Sequence, residues 1–304
     1  MSSAHEASLL AHAAGLTRRG SLHTYLVIRW MVDRDLVEDG FRAYAYFRWL
    51  DDVLDLQLGE RRQRLAMVRE QAELARRAFA GDFPQPACAE EQLLQDLIRG
   101  NRSGHPGLAS YVSCMMQVMA FDAGRRSRLV SAAELEDYTR LLATAVMDGL
   151  TYFIGQNQAY PVHTARYSAV AGAHISHMLR DAVDDLQAGY YNIPREVLEA
   201  ENLSPADMNA RAYRRWVRGR VALAEGLFRD GKRYIRSVPN LRARLSGLAY
   251  CASFESVLGK VKRNGYSLRG SGLGEARHVA DGRPRTVPPT TAHGRWPSSP
   301  MTDA

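Results

Sequence analysis

The chain has 304 residues, 46% hydrophobic and 24% charged content, and a formal net charge of +7. These values exclude a disordered or fibrous protein and leave room for one large helical or mixed domain, or two ordinary ones, around a sizeable core. Three widely spaced cysteines, Cys88, Cys114 and Cys251, form no C-x-x-C pair, which argues against a disulfide framework or structural zinc site and fits a reducing cytoplasm.

From the N-terminus, Met1 to Gly20 mixes acidic and basic residues without a signal-peptide core. It is set apart as an extension over residues 1–20. No run approaches the roughly 20 apolar residues that cross a bilayer. The expected protein is cytoplasmic, touching at most a membrane surface. Helical periodicity then predicts helices over Tyr25–Trp30, Phe41–Leu58, Arg61–Phe79, Glu90–Arg99, Leu108–Ala123 and Ala132–Gln158. Further helices are expected over Ala165–Ala188, Ser204–Ser237 and Leu241–Asn264, with Ser204-Pro205 as a cap and first turn. Period-two runs of β-branched residues are nearly absent, and breakers such as Gly104-His105-Pro106-Gly107 and Asn192-Ile193-Pro194 separate the segments. From Ser271 to Ala304 the chain is rich in Gly, Pro, Ser and Thr without an apolar period, which predicts a disordered tail. The fold class is therefore all-α: one helical domain over residues 21–270 and a tail over 271–304.

The basic excess is largely arginine, with Arg211, Arg214, Arg215, Arg218 and Arg220 gathered around Trp216. This stripe reads as a solvated helix face. No zinc-finger or RNA-binding signature supports a nucleic-acid partner. Attraction to anionic lipid headgroups or diphosphates is the other use of such charge.

Two acidic constellations carry the chemistry. In the first, Tyr44, Arg48, Asp51 and Asp55 return to one helical face by steps of three and four, with Asp52 beside them. In the second, His174, His177, Asp181 and Asp185 do the same, next to Arg180 and Asp184. Stacked aspartates destabilise a helix by roughly 0.2–0.5 kcal/mol per like-charged pair, so two such clusters in apolar helices ask for a function. Grouped carboxylates suit magnesium, which keeps several waters and takes further ligands from substrate phosphates. Magnesium and arginine together would stabilise a departing diphosphate and leave an allylic cation. That cation needs a dry cavity with aromatic faces, for which Leu108–Phe121 and Tyr138–Phe153 supply apolar material.

At these residues the chain resembles the squalene/phytoene synthase family, from about Ser21 to Leu268. Asp51-Asp52-x-x-Asp55, with Tyr44 and Arg48, resembles its first aspartate motif, and Leu179 to Asp185 its second. Gly189-Tyr190-Tyr191-Asn192-Ile193-Pro194-Arg195-Glu196 resembles the exit from that helix, and Glu255 to Tyr266 the last helix. The resemblance implies an isoprenoid-synthase helical bundle around a central cavity. It also implies two or three magnesium ions and two prenyl diphosphates, C15 or C20 or shorter, joined head-to-head through a cyclopropylcarbinyl diphosphate. By the same resemblance Asp51, Asp52, Asp55, His177, Asp181 and Asp185 are the metal-side residues. Tyr44, Arg48, Tyr138, Arg180, His174 and His177 are the catalytic candidates, and Tyr25, Ala143, Thr144, Val146, Met147, Tyr250 and Phe254 the substrate-binding ones.

The departures from the family pattern are specific. His174 and His177 stand where the family has a Gln and a metal-side Asn. Thr144 and Met147 replace glycines that open the cavity, so a narrower pocket is expected. Phe254 aligns with a family tyrosine, with Tyr250 one turn away. Three readings follow: head-to-head coupling; the same ionisation with the cation cyclised, quenched by water or passed to another acceptor; and a non-catalytic scaffold. NADPH use stays open, since the chain has no Gly-rich dinucleotide fingerprint.

Overall fold

The computed structural model describes residues 3–101, 104–155 and 158–269. The tail expected over 271–304 lies outside the described residues. Among the described residues every regular element is helical: α1 (Ser3–Gly20), α2 (Leu22–Met31), α3 (Val37–Asp52), α4 (Arg61–Phe79), α5 (Ala89–Gly100) and α6 (Pro106–Arg125). They continue with α7 (Ala132–Phe153), α8 (Ser168–Gln187), α9 (Arg195–Ala200), α10 (Arg211–Ser237) and α11 (Leu241–Arg263). Short 3-10 turns at Arg34–Leu36 and Thr164–Tyr167 lead into α3 and α8, and a π turn, Val53–Gln57, extends α3.

Two apolar cores organise these helices. The first gathers α1 to α6 around Tyr46, Leu50, Leu93, Leu94, Leu97 and Leu108, all fully buried. The Tyr46 hydroxyl, sealed in that core, donates to Gln71 Oε1 at 3.0 Å, and Gln71 donates on to Glu91 at 2.8 Å. Truncating Leu50 to Ala would cost about 2–5 kcal/mol. The second core joins α8, α10 and α11 through Val217, Phe228, Cys251, Leu258 and Val261. Here α8 and α10 approach so closely that a Cβ on Gly231 would sit 2.5 Å from the Ala169 nitrogen. Between the cores runs α7, packed on α6 and α8. Its start is fixed by a capping box, Ser131 accepting from the Glu134 amide at 3.1 Å and Glu134 from the Ser131 amide at 2.8 Å.

Several helix limits differ from the sequence expectation, each for a tertiary reason. Residues 3–20, set apart as an extension, form α1 and bury Leu9, Ala13 and Thr17 against the first core. The helix expected to run to Leu58 changes to a π turn after Asp52. Arg64 holds its end, donating to Gly59 O at 2.7 Å and to Ala123 O of α6 at 3.2 Å. α7 stops at Phe153 rather than Gln158, because Gly155 turns at φ +74° and its amide donates to Asp33 at 2.7 Å. α10 begins at Arg211, not Ser204, since Asp207 closes a local turn onto the Ser204 amide and hydroxyl at 2.7 and 2.8 Å. In that helix Arg211, Arg214, Arg215 and Arg218 are exposed, as the solvated-face reading expects.

Candidate active site

The C-terminal ends of α3, α6 and α8 converge, and each brings carboxylates. Asp51 and Asp52 close α3, and Asp55 follows in the π turn. Asp122 lies in the last turn of α6, and Asp181 and Asp185 lie in the last two turns of α8. A helix C-terminus is already partially negative, so carboxylates there are doubly unfavourable without a cation.

On the first face, Arg48 grips Asp52 through two hydrogen bonds, Nε at 3.0 Å and Nη2 at 2.8 Å. Arg48, expected to act on the diphosphate, is thus engaged along its own helix. Tyr44 lies beside the end of α1, where a Cβ on Gly20 would come within 3.0 Å of its hydroxyl. The Asp51 carboxyl is pushed up to about 7 by burial, with Asp55 and Asp122 adding to the rise and Arg48 only partly offsetting it. No hydrogen bond from the described residues reaches it.

The second face is tighter. Asp181 is buried and accepts from Arg180 Nε and Nη2 at 2.7 and 2.9 Å, and from His177 Nε2 at 2.6 Å. Burial alone would raise its pKa, but these partners hold it well below the usual carboxylate range. His177, expected on the metal side, directs this nitrogen at the Asp181 carboxylate. Its ring is half-exposed and 6.4 Å from Phe254. His174 does not share that setting. It is buried with Nδ1 3.1 Å from Thr139 Oγ1, stands edge-on to Tyr138 at 4.7 Å, and is pulled down to about 3 by burial, with His177 and Arg125 contributing. At neutral pH it is uncharged.

Four further residues join the two faces: Asp122 and Arg125, which sequence reasoning did not single out, and Tyr190 and Asn192, which it named only as part of the exit from α8. Asp122 accepts from Arg125 Nε at 2.7 Å and from the Tyr138 hydroxyl at 2.8 Å. Arg125 reaches on to Asn192 Oδ1 at 2.9 Å, and Asn192 Nδ2 donates to Asp185 at 2.7 Å. Tyr190, at the exit from α8, donates to Asp55 at 2.8 Å. The Arg125 guanidinium lies over Tyr138 and Tyr190 at 5.1 and 5.0 Å. A signal did exist for part of this set: Asp122-x-x-Arg125 is an ion-pair spacing at the end of an apolar helix.

The substrate-binding candidates spread more widely. Tyr25 stacks on Phe41 at 5.2 Å, and Tyr250 meets Phe254 edge-on at 4.9 Å. Ala143 is buried, Val146 is half-buried, and the Thr144 hydroxyl bonds back to Arg140 O at 2.9 Å. Met147 was expected, with Thr144, to narrow the pocket. It is buried and packs with Tyr234 of α10 and with Val238, just beyond that helix. A groove of about 640 Å³ between α4 and α6, floored by Val68, Val112 and Met116, uses a different face of α6 from Asp122.

Among the described residues no three His, Cys, Asp or Glu side chains converge tightly enough to cage a metal alone. The donor set nevertheless suits magnesium. It is all hard oxygen, concentrated at three negative helix ends, and magnesium characteristically takes only one or two carboxylates with substrate phosphates and water.

The helical fold around this cluster is that of the squalene synthase-like isoprenoid synthases. A squalene synthase, HpnC, from Alicyclobacillus acidocaldarius matches with a TM-score of 0.65 at 21% identity, covering 86% of this chain and 95% of that one. A dehydrosqualene synthase in complex with ligand matches at 0.68 and 16% identity, covering 90% and 96%. TcSQS in complex with the ligand E5700 matches at 0.66 and 16%, covering 90% and 86%. No curated protein matches the chain. The squalene/phytoene synthase pattern fits residues 17–281, and the chain belongs to that family.

Proposed function

We propose that this protein is a magnesium-dependent transferase that ionises an allylic prenyl diphosphate and couples it head-to-head with a second one. The observation that carries the reading is the polar chain Asp122–Arg125–Asn192–Asp185, with Tyr190 on Asp55, which links the two aspartate faces. Magnesium, when bound, would neutralise the diphosphate and stabilise it as it leaves. Asp51, Asp55, Asp181 and Asp185 would hold it.

The chain's own residues do the rest. Arg125, for which burial is outweighed by Asp122 and Asp185, stays protonated and fixes Asp122 and Asn192 in place. Arg180 and His177 keep Asp181 ionised and aimed. Arg48 orients Asp52 and leaves its neighbour Asp51 to the cation. Phe121 and Tyr138, stacked at 4.7 Å, offer aromatic faces beside the site for an allylic cation. His174, neutral and hydrogen-bonded to Thr139, adds no charge against that cation.

The test is turnover with C15 and C20 prenyl diphosphates, with and without magnesium and NADPH, read by diphosphate release and product mass spectrometry. Magnesium-dependent release and a product carrying two prenyl chains are expected. Asp51→Asn and Asp181→Asn should each lower release by about 100-fold or more with helicity intact. Release without any two-chain product would move the reading to cyclisation or transfer to another acceptor. No release from either substrate would refute it.

A further inference from the structure

We propose that the outward faces of α2 and the first half of α11 form a docking surface for an anionic lipid bilayer. In α2, Leu22, Leu26 and Trp30 recur every four residues and so form one stripe. They are 52%, 45% and 69% exposed, while Ile28 on the opposite side is buried. In α11, Leu241 and Leu245 are 58% and 60% exposed, opposite the buried Cys251 and Leu258. The two helices pack together, and Arg242 Nη1 donates to Met31 O at 3.2 Å and Val32 O at 3.4 Å. A scattered exposed leucine needs no explanation, but stripes with a tryptophan on two adjoining helices mark an interaction surface. Tryptophan prefers the level of lipid headgroups, where its ring is half apolar and half wet.

Charge decides the occupant. Residues 18–32 and 231–254 contain eight Arg or Lys and no Asp or Glu. Lys232, Arg233 and Arg242 pair with Glu255, Asp230 and Asp33. Arg18, Arg19, Arg29, Arg236 and Arg244 have no carboxylate partner among the described residues and flank the apolar stripes. A second copy presenting the same face would be repelled, whereas an anionic leaflet complements it. One of the two helices also borders the candidate site: Phe254 of α11 lies 6.4 Å from His177. Docking would thus place the site next to lipid. That last link rests on the proposed function; the docking itself does not.

Vesicle flotation of the full chain without substrate tests this, using phosphatidylcholine vesicles with and without about 30 mol% phosphatidylglycerol. The chain should float with the anionic vesicles, and added salt should release it. The variant Leu26→Gln/Trp30→Gln/Leu245→Gln should weaken binding by about 10-fold or more. So should Arg19→Gln/Arg29→Gln/Arg236→Gln, with the melting temperature of both near wild type. If the apolar variant fails to fold, the arginine variant decides, because its side chains lie on the surface. Absence of anionic-vesicle binding, or equal binding by wild type and both variants, overturns the proposal. A concentration-dependent dimer that the apolar variant abolishes, with no vesicle binding, assigns the face to a second copy and overturns it as well.

Discussion

At Asp51 burial and neighbouring carboxylates push the acid up to about 7, whereas Asp181, itself buried, is held ionised by Arg180 and His177. The difference is one of partners, and it makes Arg125 a testable residue. Its fork holds Asp122 with Nε and Asn192 with Nη1, a geometry that a lysine cannot reproduce. Arg125→Lys should lower turnover by about 10–100-fold while the fold persists, as for other residues that orient a site from behind. Unchanged turnover would show that the bridge between the faces is idle. His174 gives a stability prediction with a definite sign. Its folded value is about 3, below the ordinary value of about 6.5. On acidification the unfolded chain takes the proton first, so the stabilisation from burying neutral imidazole is full above about pH 6.5. It is lost progressively as pH falls toward 3. Denaturant unfolding at pH 7 and pH 5 should show a steeper loss for wild type than for His174→Gln, and parallel losses would contradict the assignment. The aspartate clusters were legible in the sequence because three carboxylates in five residues is a conspicuous local cost. Asp122 and Arg125 were not, and Tyr190 and Asn192 were legible only as part of the exit from α8, because the role of each arises only when α6 meets that exit.

The elements obey local rules except where a distant residue intervenes. Helix α4 matches its sequence expectation, Arg61–Phe79, because its apolar period and its Glu60/Gln63 capping box agree. The end of α7 and the start of α10 overshot in the sequence reading, since a hydrogen bond from Gly155 to Asp33 and a turn at Asp207 carry no periodic signature. The first helix was missed because alanine, histidine and serine dilute its apolar stripe, and only packing on α3 reveals what Leu9 and Ala13 bury. Two element-level outcomes are expected. Gly231→Ala forces a methyl group into the α8–α10 contact, 2.5 Å from Ala169 N, and should destabilise the fold by about 1–3 kcal/mol, read as a lower melting temperature. An unchanged melting temperature would mean the helices part at no cost. Tyr190→Phe removes the hydrogen bond to Asp55 that ties the π turn to the α8 exit, and should reduce diphosphate release more than it reduces stability. The reverse order of effects would make Tyr190 a structural tether.

Across the whole molecule, two cores meet at one acidic junction, each contributing an aspartate face, with α7 packed between them. Such an arrangement gives a ligand that spans both faces a stake in how the two halves sit together. Three helix C-termini add partial negative charge to the carboxylates, so an anionic ligand should enter only with metal ions. Calorimetric titration of inorganic pyrophosphate, in the presence and absence of magnesium, reads that requirement without any turnover. Wild type should bind pyrophosphate only with magnesium, and Asp51→Asn and Asp181→Asn should each weaken that binding by about 10-fold or more, because either face alone holds only part of the metal–diphosphate complex. Pyrophosphate binding that needs no magnesium, or that survives both substitutions unchanged, would contradict a single diphosphate site built from the two faces.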